Sequence, residues 1–288
     1  MLQYLRLLYF LARPGTVFVR RPSHGLGDNL LLSAVLPDLR AKYPGRKIVV
    51  ETAWPALFRH NPDADWVTDR HLKTTARHLR PRYHVDPSTT VSIYEQLAGC
   101  VGRPRRAAPR LFLDPAEIEA ARRRFPFDYV AVAPVGKTSF CANRKEWGVA
   151  NFQRLRDLLG DIRFVQVGLP ADPLLERVVD ARNLSVRETA AAIGRALFFL
   201  GLEGGLMHLA RSVGTRSAIV YGGLIRPEIS AYEGNVNVAN PVECSPCFHS
   251  DRPHQPCESM ACMKGISPEA VFDLIAARLL AGIARRTE

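Results

Sequence analysis

Strand patterns and helix patterns alternate regularly along residues 129–221, and this alternation constrains the fold of the chain most strongly. Apolar β-branched runs bounded by turn residues predict strands, and apolar residues spaced three and four apart predict helices. The strands are predicted at 129–135, 163–167, 198–202 and 217–221, and the helices at 151–159, 173–180, 185–197 and 206–213. Such an alternation is typical of a doubly wound parallel sheet in an α/β fold.

A second α/β unit is predicted near the N-terminus. Residues 16–19 and 47–50 are predicted strands, and the segment between them has helix spacing over 30–43. Strand, loop, helix and strand in this order form the βαβ unit of a parallel sheet. Residues 70–110 are rich in Arg, His and Pro and only weakly periodic, and we place the domain boundary near 125–127.

The two ends of the sequence also have helix patterns. Residues 267–283 predict a helix with Ser267 as its N-cap and Pro268 at its first position. The first stretch, MLQYLRLLYFLARPG, is interrupted by Arg6 and lacks a small-residue cleavage site, so we expect no signal peptide. It predicts a short amphipathic helix that either docks on the protein's own surface or lies on a membrane. No apolar run of about 18 residues occurs, so no membrane-spanning helix is predicted.

The net charge of the chain indicates which classes of partner it can bind. The 288 residues carry a formal net charge of +11, and the basic residues are mostly arginine. An arginine-rich surface suits nucleic acid, an anionic membrane or a phosphorylated acceptor, because the guanidinium fork binds phosphates and carboxylates. Arginine-rich codon usage in a GC-rich genome is the alternative explanation.

Two charged residues follow predicted strands. Asp28 lies at the predicted start of the first helix, at the carboxyl end of the first strand, where open α/β sheets bind their ligands. The helix dipole there stabilises an ionised carboxylate that can accept a proton. A plain N-cap is the alternative, and position alone favours it. Lys145 follows the first strand of the second unit and can reach a phosphate, although without further context a solvated loop explains it better.

The stretch 201–208 predicts an anion site. A buried strand ends, Glu203 follows, and Gly204 and Gly205 open a helix. Glycines let a ligand approach the backbone closely, and the free N–H groups of a helix start bind phosphate. His208 lies about one turn into this helix and adds a donor. The alternative is a tight strand-to-helix turn with a core histidine.

Four of the six cysteines lie close together, with the spacing C-x2-C-x9-C-x4-C: Cys244, Cys247, Cys257 and Cys262. A C-x2-C pair can bind one tetrahedral metal ion, and in a reducing compartment such a cluster more often holds a metal than disulfides. A structural metal ion on four cysteines is predicted, with His249 and His254 as spare ligands. A disulfide or thiol role is the alternative.

Four stretches, taken in order along the chain, resemble glycosyltransferase family 9, and most of all its ADP-heptose-using heptosyltransferases. They are HGLGDNLLLSAVLPDLRAKYPGRKIVV at 24–50, NRKEWGVANFQRL at 143–155, SVRETAAAIGRALFFLGLEGGLMHLARSVGTRSAIVYG at 185–222, and CSPC with CMKGISPEAV at 244–247 and 262–271. Each stretch alone is a weak signal, but their joint order is specific.

The resemblance implies a GT-B architecture, in which two Rossmann-like domains face each other across a cleft. It implies an N-terminal acceptor-binding domain at 1–126 and a nucleotide-sugar-binding domain at 127–266 that carries a cysteine finger at 244–262. It also implies a C-terminal helix at 267–288 that crosses back to the first domain.

The resemblance further implies inverting sugar transfer without a catalytic metal. Asp28 would be the general base, which takes the proton of the acceptor hydroxyl as that oxygen attacks the sugar carbon. His24, Gly25 and Gly27 would form the loop on the acceptor side.

The donor side is implied in the same way. Lys145 would neutralise the diphosphate leaving group, and the backbone of Gly204 and Gly205, with His208, would hold the same diphosphate. Asp172 is a weaker candidate for the donor ribose. Many family members carry Asp-Ser/Thr-Gly where this chain has Glu203, Gly204 and Gly205, so a hydroxyl contact is lost and the donor-side carboxylate is longer.

The partners follow from this resemblance. We expect a nucleotide-sugar donor, with ADP-heptose favoured, and an acceptor that is an anionic surface glycan, a lipopolysaccharide core or a protein. We expect the chain in the cytoplasm, with peripheral association at the inner membrane. Relatives that modify autotransporter proteins carry a cysteine-bound iron, so iron is as well supported as zinc.

Two rival functions are weighed against sugar transfer. A nucleic-acid-binding protein would use the basic charge and the cysteine finger, but two α/β units and only 8% aromatic residues fit it poorly. No nucleic-acid partner is therefore expected. A family member that only scaffolds is the other rival, and the presence of Asp28, Lys145 and His208 argues against it.

Overall fold

The strands of the computed structural model form two parallel sheets, each belonging to its own unit. The structure describes residues 2–21, 23–69, 78–102, 108–136, 141–248 and 255–281. The first unit comprises Met1–His84 and Ile93–Phe112, and the second comprises Val85–Ser92 and Leu113–Glu288.

The first unit is a four-stranded parallel sheet with helices. Its elements are α1 (Leu2–Ala12), β1 (Val17–Arg20), α2 (Leu26–Lys42), β2 (Ile48–Glu51), a 3₁₀ turn (Pro55–Phe58), β3 (Trp66–Thr68), β4 (His78–Leu79) and α3 (Ile93–Gly99). The strand order is β3-β2-β1-β4. Every residue of β2 is buried, as a strand inside a parallel sheet requires. The predicted βαβ unit is confirmed by β1, α2 and β2.

The N-terminal helix α1 docks on its own unit. Phe10 is 7% exposed and stacks on Trp66, with ring centroids 5.4 Å apart. The side chains on the rest of the helix surface include four exposed apolar ones: Leu5, Leu8, Tyr9 and Leu11. None of the helices in the described ranges has the length and apolar character needed to cross a membrane.

The second unit contains the larger sheet. Its elements are α4 (Pro115–Arg124), β5 (Tyr129–Ala133), α5 (Val149–Leu158), β6 (Arg163–Val167), β7 (Val179–Ala181), α6 (Val186–Arg195), β8 (Phe199–Leu202), α7 (Gly205–Ser212), β9 (Ser217–Tyr221), α8 (Pro227–Ser230), β10 (Val236–Ala239), α9 (Ala261–Lys264), α10 (Pro268–Ile275) and a π-helical turn (Ala276–Leu280). The six strands have the order β10-β9-β8-β5-β6-β7. Counted within this unit, this is the strand order of doubly wound dinucleotide-binding sheets.

Local capping explains where several of these helices begin. Ser185 accepts a hydrogen bond from the Glu188 amide at the start of α6, and Glu188 reaches back to the Ser185 amide at 2.9 Å, which confirms the predicted capping box. Ser267 caps α10 through a 3.2 Å hydrogen bond from the Ala270 amide. α10 lies against α5, and Val271 and Phe152 belong to the same core.

One predicted helix is wrong. Residues 173–180 do not form a helix, and the edge strand β7 begins within them at Val179. Arg177 has a φ of 55°, in the left-handed region that interrupts a right-handed helix. The Leu175 amide instead donates to Gln166 Oε1 on β6 at 2.9 Å, so contacts with the sheet override the local helix pattern.

The helix α4 lies within the second unit. Arg187 on α6 binds Glu117 on α4 through both carboxylate oxygens, at 2.6 and 2.5 Å. The helix that follows Phe112 therefore packs against α6 of the second unit. The crossing of 267–288 back to the first domain stays a prediction, because 282–288 lie outside the described residues.

Candidate active site

The first candidate site lies at the switch point of the first sheet. In the order β3-β2-β1-β4, the chain departs from β1 in both directions, so the crevice at the carboxyl ends of β1 and β4 is where such sheets bind ligands. Arg21 and Ser23 follow β1, Tyr83 follows β4, and all three contact Asp28.

Asp28 lies in the first turn of α2, as predicted, but it is not the N-cap. Gly25 occupies the cap position, so the plain N-cap alternative is wrong. Asp28 Oδ1 accepts hydrogen bonds from Arg21 Nη2 at 2.6 Å, Arg21 Nε at 3.2 Å and the Tyr83 hydroxyl at 2.5 Å. Oδ2 accepts one from Ser23 Oγ at 2.6 Å. The carboxylate is therefore held in one orientation.

These contacts keep Asp28 ionised. Burial raises the pKa of the Asp28 carboxyl, and the charge of Arg21 opposes this effect. Hydrogen bonds from Ser23, Tyr83 and Arg21 also oppose it, so the pKa lies below its ordinary value of 3.8. At neutral pH the group is a carboxylate that can accept a proton.

The loop before Asp28 is fixed by Asn29, which is fully buried. Its amide donates to the carbonyls of Ser23 and Gly25 at 2.7 and 2.8 Å. His24 is exposed, and its carbonyl accepts from the Trp54 indole at 3.0 Å, while Gly27 lies in the first turn of α2. The structure thus places the predicted acceptor-side loop beside the predicted base.

The second candidate site lies at the switch point of the second sheet, between β5 and β8. Glu203 follows β8, Lys145 lies in the segment after β5, and the two form an ion pair between Nζ and Oε2. Their side chains are 17% and 9% exposed, so both charges are largely removed from water. The structure brings these two predicted donor-side residues together.

The helix start after Glu203 has the predicted form. Gly204 is the N-cap of α7 with a φ of 150° and a ψ of −158°, a conformation open essentially to glycine alone, and Gly205 begins the helix. His208 is buried one turn later, and its Nδ1 lies 2.7 Å from the Tyr232 hydroxyl. A phenol can donate or accept, and where Tyr232 donates to Nδ1 the proton of the neutral imidazole lies on Nε2.

Two further carboxylates follow the neighbouring strands β5 and β6 at this edge of the sheet. Glu146 Oε1 accepts from the Gly136 amide at 3.0 Å, just beyond the end of β5. Burial raises the pKa of Glu146, and the charge of Asp172 raises it further against the Gly136 hydrogen bond. Asp172 lies in the turn after β6, where Oδ2 accepts from the Leu169 amide at 2.7 Å. Asp172 is thus near the site, and Glu146 joins it as a residue that sequence reasoning missed.

The four clustered cysteines line one cavity of about 520 Å³. Cys262 is buried, and its Sγ accepts from the Gly223 amide at 3.1 Å, while Cys257 Sγ accepts from the Met260 amide at 3.4 Å. The cavity adjoins the segment that carries Lys145, because Asn143 and Arg144 bind the Cys257 and Cys247 carbonyls at 2.9 and 3.2 Å.

The thiols of this cavity influence one another's pKa values. Burial raises the pKa of Cys247, and proximity to the other three thiols raises it further, against the charge of Arg144. A backbone hydrogen bond from Met260 lowers the pKa of Cys257 despite its burial. Across the described ranges, no three His, Cys, Asp or Glu side chains are arranged as a metal site. The spare ligands His249 and His254 lie outside the described residues.

The partners of the predicted residues are what sequence reasoning missed. Arg21 and Ser23 stand just before the recognised motif, but nothing in their pattern marks them as ligands of Asp28. Tyr83 lies in the weakly periodic stretch, and Tyr232 lies between α8 and β10. Arg21 and Ser23 reach Asp28 through the local loop, whereas Tyr83 reaches it because β4 pairs with β1.

Solved glycosyltransferase structures share this fold over more than nine-tenths of the chain. The iron-containing dodecameric TibC from enterotoxigenic E. coli H10407 has a TM-score of 0.74 and 19% identity, over 93% of this chain and 77% of that one. A family 9 glycosyltransferase from Veillonella parvula DSM 2008 has a TM-score of 0.73 and 16% identity, over 92% and 98%. E. coli ADP-heptose lipopolysaccharide heptosyltransferase II has a TM-score of 0.69 and 12% identity, over 93% and 99%.

TibC has also been solved in complex with ADP-D-beta-D-heptose, and that structure matches with a TM-score of 0.72 and 18% identity, over 93% of this chain and 77% of that one. No protein-family model and no curated protein sequence matches the chain. The structural matches confirm the predicted α/β fold of two Rossmann-like parallel-sheet units, and they confirm the resemblance to family 9 at the level of the fold.

Proposed function

We propose that this chain is an inverting glycosyltransferase that moves a sugar from a nucleoside diphosphate donor to a hydroxyl group. The observation that carries this proposal is the pair of charged sites at the two sheet switch points. One presents the ionised carboxylate of Asp28, and the other presents Lys145 beside a glycine-opened helix start. A base for the acceptor and a cation for the leaving diphosphate are the two groups that such a transfer needs.

In the proposed reaction, the acceptor oxygen forms a bond to the anomeric carbon from the face opposite the leaving group. The bond from that carbon to the diphosphate oxygen breaks, and its electron pair leaves with the diphosphate. The acceptor proton passes to Asp28, and the carboxyl later releases it to water. The products are an inverted glycoside, a nucleoside diphosphate and a proton.

The donor side acts on the developing negative charge of the diphosphate. Lys145 supplies a positive charge, and the first amides of α7 supply N–H groups and the positive end of the helix dipole. With Tyr232 donating to Nδ1, His208 would carry its proton on Nε2 and donate it to the diphosphate. Asp172 and Glu146 follow the paired strands β6 and β5, and we propose them as carboxylate acceptors for ribose hydroxyls. Metal is not required for charge neutralisation in this scheme.

ADP-heptose is the favoured donor. The support is the shared fold with TibC, which has been solved with ADP-D-beta-D-heptose, and with the E. coli ADP-heptose lipopolysaccharide heptosyltransferase II. The favoured acceptors are an anionic surface glycan, a lipopolysaccharide core or a protein, because the chain carries a net charge of +11.

The test is a thermal-shift series with ADP-, GDP- and UDP-sugars, followed by measurement of nucleoside diphosphate release. We expect ADP-heptose to raise the melting temperature most, because a ligand that binds only the folded form stabilises it. We expect release of ADP to accelerate when a lipopolysaccharide-core glycan is added. A chain that binds none of these donors, yet binds duplex or single-stranded nucleic acid with a steep salt dependence, would be a nucleic-acid-binding protein instead.

The cysteine cavity is proposed to hold a structural zinc or iron ion. Four thiols line one cavity, and two of the sulfurs accept hydrogen bonds from backbone amides, which suits a metal ion that prefers sulfur ligands. The similar fold of TibC, which contains iron, also supports this proposal. The described side chains are not already arranged as such a site, so binding would draw the four thiolates together. The ion would support the Asn143–Arg144 segment and take no part in the reaction.

We further propose that the chain works in the cytoplasm and associates with the inner membrane surface through α1. Leu5, Leu8 and Tyr9 are exposed, the helix carries no acidic residue in its first turn, and the Arg13 guanidinium lies 5.0 Å from the Tyr9 ring centre. An apolar face flanked by arginine suits an anionic interface. Co-sedimentation with anionic vesicles tests this, and loss of binding in a Leu5→Ser, Leu8→Ser variant is the expected result.

A further inference from the structure

Three donors converge on a single oxygen of Asp28. Arg21 Nη2 and Nε approach Oδ1 at 2.6 and 3.2 Å, and the Tyr83 hydroxyl approaches it at 2.5 Å. A carboxylate oxygen has about two lone pairs in its plane, so three donors saturate Oδ1. In the described part of the chain, Oδ2 accepts from Ser23 Oγ alone, at 2.6 Å.

Arg21 and Tyr83 also hold each other. The Arg21 guanidinium lies over the Tyr83 ring, 4.3 Å from its centre, and Arg21 Nη1 donates to the Pro81 carbonyl at 3.1 Å. The arginine is thus tied to β1 by the backbone and to the segment after β4 by a hydrogen bond and a cation–π contact. This clamp, consisting of Arg21 and Tyr83, orients one oxygen of Asp28, while the other oxygen accepts from Ser23 and keeps a second lone pair for a ligand.

The side of Oδ2 is kept open by Gly25. A Cβ at this position would lie 3.0 Å from Asp28 Oδ2 and 3.4 Å from Ser23 Oγ. Gly25 has a φ of −67° and a ψ of 131°, which any residue adopts, so backbone conformation does not require glycine here. Space beside Oδ2 is therefore the local reason for a residue without a side chain.

We propose that Arg21 and Tyr83 are positioning residues that saturate Oδ1 of Asp28, so that Oδ2 is the oxygen that takes the proton of the acceptor hydroxyl. This inference rests on the proposed function for its reaction, but its geometry does not depend on which sugar is moved. The O–H bond of the acceptor breaks as its oxygen bonds to the anomeric carbon, and the proton moves to Oδ2. The bond from the anomeric carbon to the diphosphate oxygen breaks at the same time, and the diphosphate leaves with the electron pair of that bond.

The hydrogen bonds of the clamp lower the basicity of the Asp28 carboxylate, but a weak base is sufficient for this proton transfer. An attacking hydroxyl becomes strongly acidic as its oxygen bonds to carbon, so a carboxylate of low basicity can still accept the proton. A lowered pKa in turn keeps Asp28 ionised when the surroundings become mildly acidic. The other titratable groups on the strands at this edge are Arg20, Glu51 and His78. Arg20 Nε lies 3.3 Å and His78 Nε2 3.9 Å from the Glu51 oxygens.

The first experiment measures the pKa of Asp28 without any substrate. The full chain is labelled with aspartate carrying carbon-13 in its carboxyl group, and Asp28→Asn assigns the signal. We expect the Asp28 pKa to rise in Tyr83→Phe and in Arg21→Gln, and to rise less in Arg21→Lys, which keeps the charge but not the fork. Tyr43→Phe, at the other end of α2, is the matched control and should leave the pKa unchanged.

The second experiment measures ADP release from ADP-heptose over a range of pH. The acidic limb of the profile should move to higher pH in Tyr83→Phe and Arg21→Gln. Gly25→Ala should lower the rate of ADP release at least tenfold, while calorimetry finds its affinity for ADP unchanged. A purely structural role of the clamp would lower the amplitude of the profile without moving its limb.

The outcomes separate this inference from the proposed function. An Asp28 pKa that stays unchanged in folded Tyr83→Phe and Arg21→Gln variants overturns the clamp, even if Asp28→Asn abolishes turnover. Full turnover in Gly25→Ala overturns the assignment of Oδ2. Full turnover in Asp28→Asn instead removes Asp28 as the base, and with it the proposed mechanism, whatever the pKa of the carboxyl.

Discussion

Lys145 and Glu203 form an ion pair at the carboxyl edge of the second sheet, with side chains only 17% and 9% exposed. The cation proposed to meet the diphosphate is therefore already neutralised by a carboxylate of the same unit. A bound diphosphate would have to share Lys145 with Glu203, and the pair would fix the ammonium before the donor arrives. The longer carboxylate at this position thereby acquires a role that the sequence alone does not reveal.

Removing Lys145 should therefore affect both stability and ligand binding. In Lys145→Ala, the Glu203 carboxylate loses its cation while it stays buried, and we expect a loss of about 3–5 kcal/mol in the free energy of unfolding. We also expect weaker binding of ADP, because its phosphates lose a charged contact. Denaturant unfolding and calorimetry with ADP measure the two effects. Glu203→Asp should lower the affinity for ADP less than Lys145→Ala does, since aspartate is the commoner residue at this position in the glycosyltransferase family that the chain resembles.

An exposed ion pair provides the control. Arg154 and Glu269 lie 2.9 Å apart with side chains more than half exposed, so Arg154→Ala should change the stability by less than about 1 kcal/mol. Equal losses of stability in Arg154→Ala and Lys145→Ala would contradict the importance of burial. Unchanged ADP affinity in Lys145→Ala would remove the lysine from the diphosphate site.

Asp28→Asn should keep the fold and the affinity for the donor while turnover falls. General-base catalysis contributes roughly a hundred- to ten-thousandfold, and an amide cannot accept the proton. Single-turnover release of ADP under saturating substrates is the measurement. Asp69→Asn, an exposed aspartate of the same unit, is the control and should retain wild-type turnover. Near wild-type turnover in Asp28→Asn would exclude the base.

Much of this architecture follows from local sequence patterns. The capping box at Ser185 and Glu188 and the βαβ unit formed by β1, α2 and β2 were predictable because they depend on residues close together in the chain. Residues 173–180 were not, since Leu175 is fixed by Gln166 on a neighbouring strand and Arg177 adopts a left-handed conformation. A helix pattern over one short segment carries no information on such contacts.

In the candidate sites, too, features that depend on nearby residues could be predicted, and features that depend on distant contacts could not. Asp28 and His208 could be singled out as candidates because each lies near the start of a helix that follows a strand. Tyr83 could not be found, because 55 positions separate it from Asp28, and only the pairing of β4 with β1 brings its hydroxyl to the carboxylate. The sequence therefore predicts the chemical groups at the switch points, while their orienting partners depend on the sheet.

Tyr232→Phe should weaken ADP binding through His208. Without the phenol, nothing from Tyr232 holds the proton of His208 on Nε2, and the ring can adopt the other tautomer. We expect a loss of affinity smaller than that of His208→Ala, with little change in the fold, because the aromatic ring is kept. Calorimetry with ADP at several pH values measures it, and an affinity equal to the wild type would show that the tyrosine does not orient the histidine.

Tyr129 should make the stability of the second unit depend on alkaline pH. Its buried hydroxyl donates to the Ala192 carbonyl at 2.6 Å, and burial raises its pKa to about 12, against the charge of Arg195. Its contribution to stability is therefore complete below the ordinary pKa of 10.0 and is lost as pH rises towards about 12. Tyr129→Phe should lose about 1–3 kcal/mol at neutral pH and show a flatter decline between these values. Equal declines in the two proteins would contradict this assignment.

The cysteine cavity is predicted to bind one metal ion. Cys244, Cys247, Cys257 and Cys262 line one cavity, and the segment that carries them has few apolar residues to order it unaided. One zinc or iron ion on four thiolates would supply that order. We expect about one tightly bound ion per chain, lost in the variant with both Cys244→Ser and Cys247→Ser. Because Asn143 and Arg144 bind the same segment, this variant should also weaken ADP binding at Lys145.

Elemental analysis of protein purified without a metal-affinity tag measures the bound metal, and Cys100→Ser is the control. If no stoichiometric metal is found and the four thiols react only after reduction, the cysteines form disulfides and stabilise the segment by cross-linking instead.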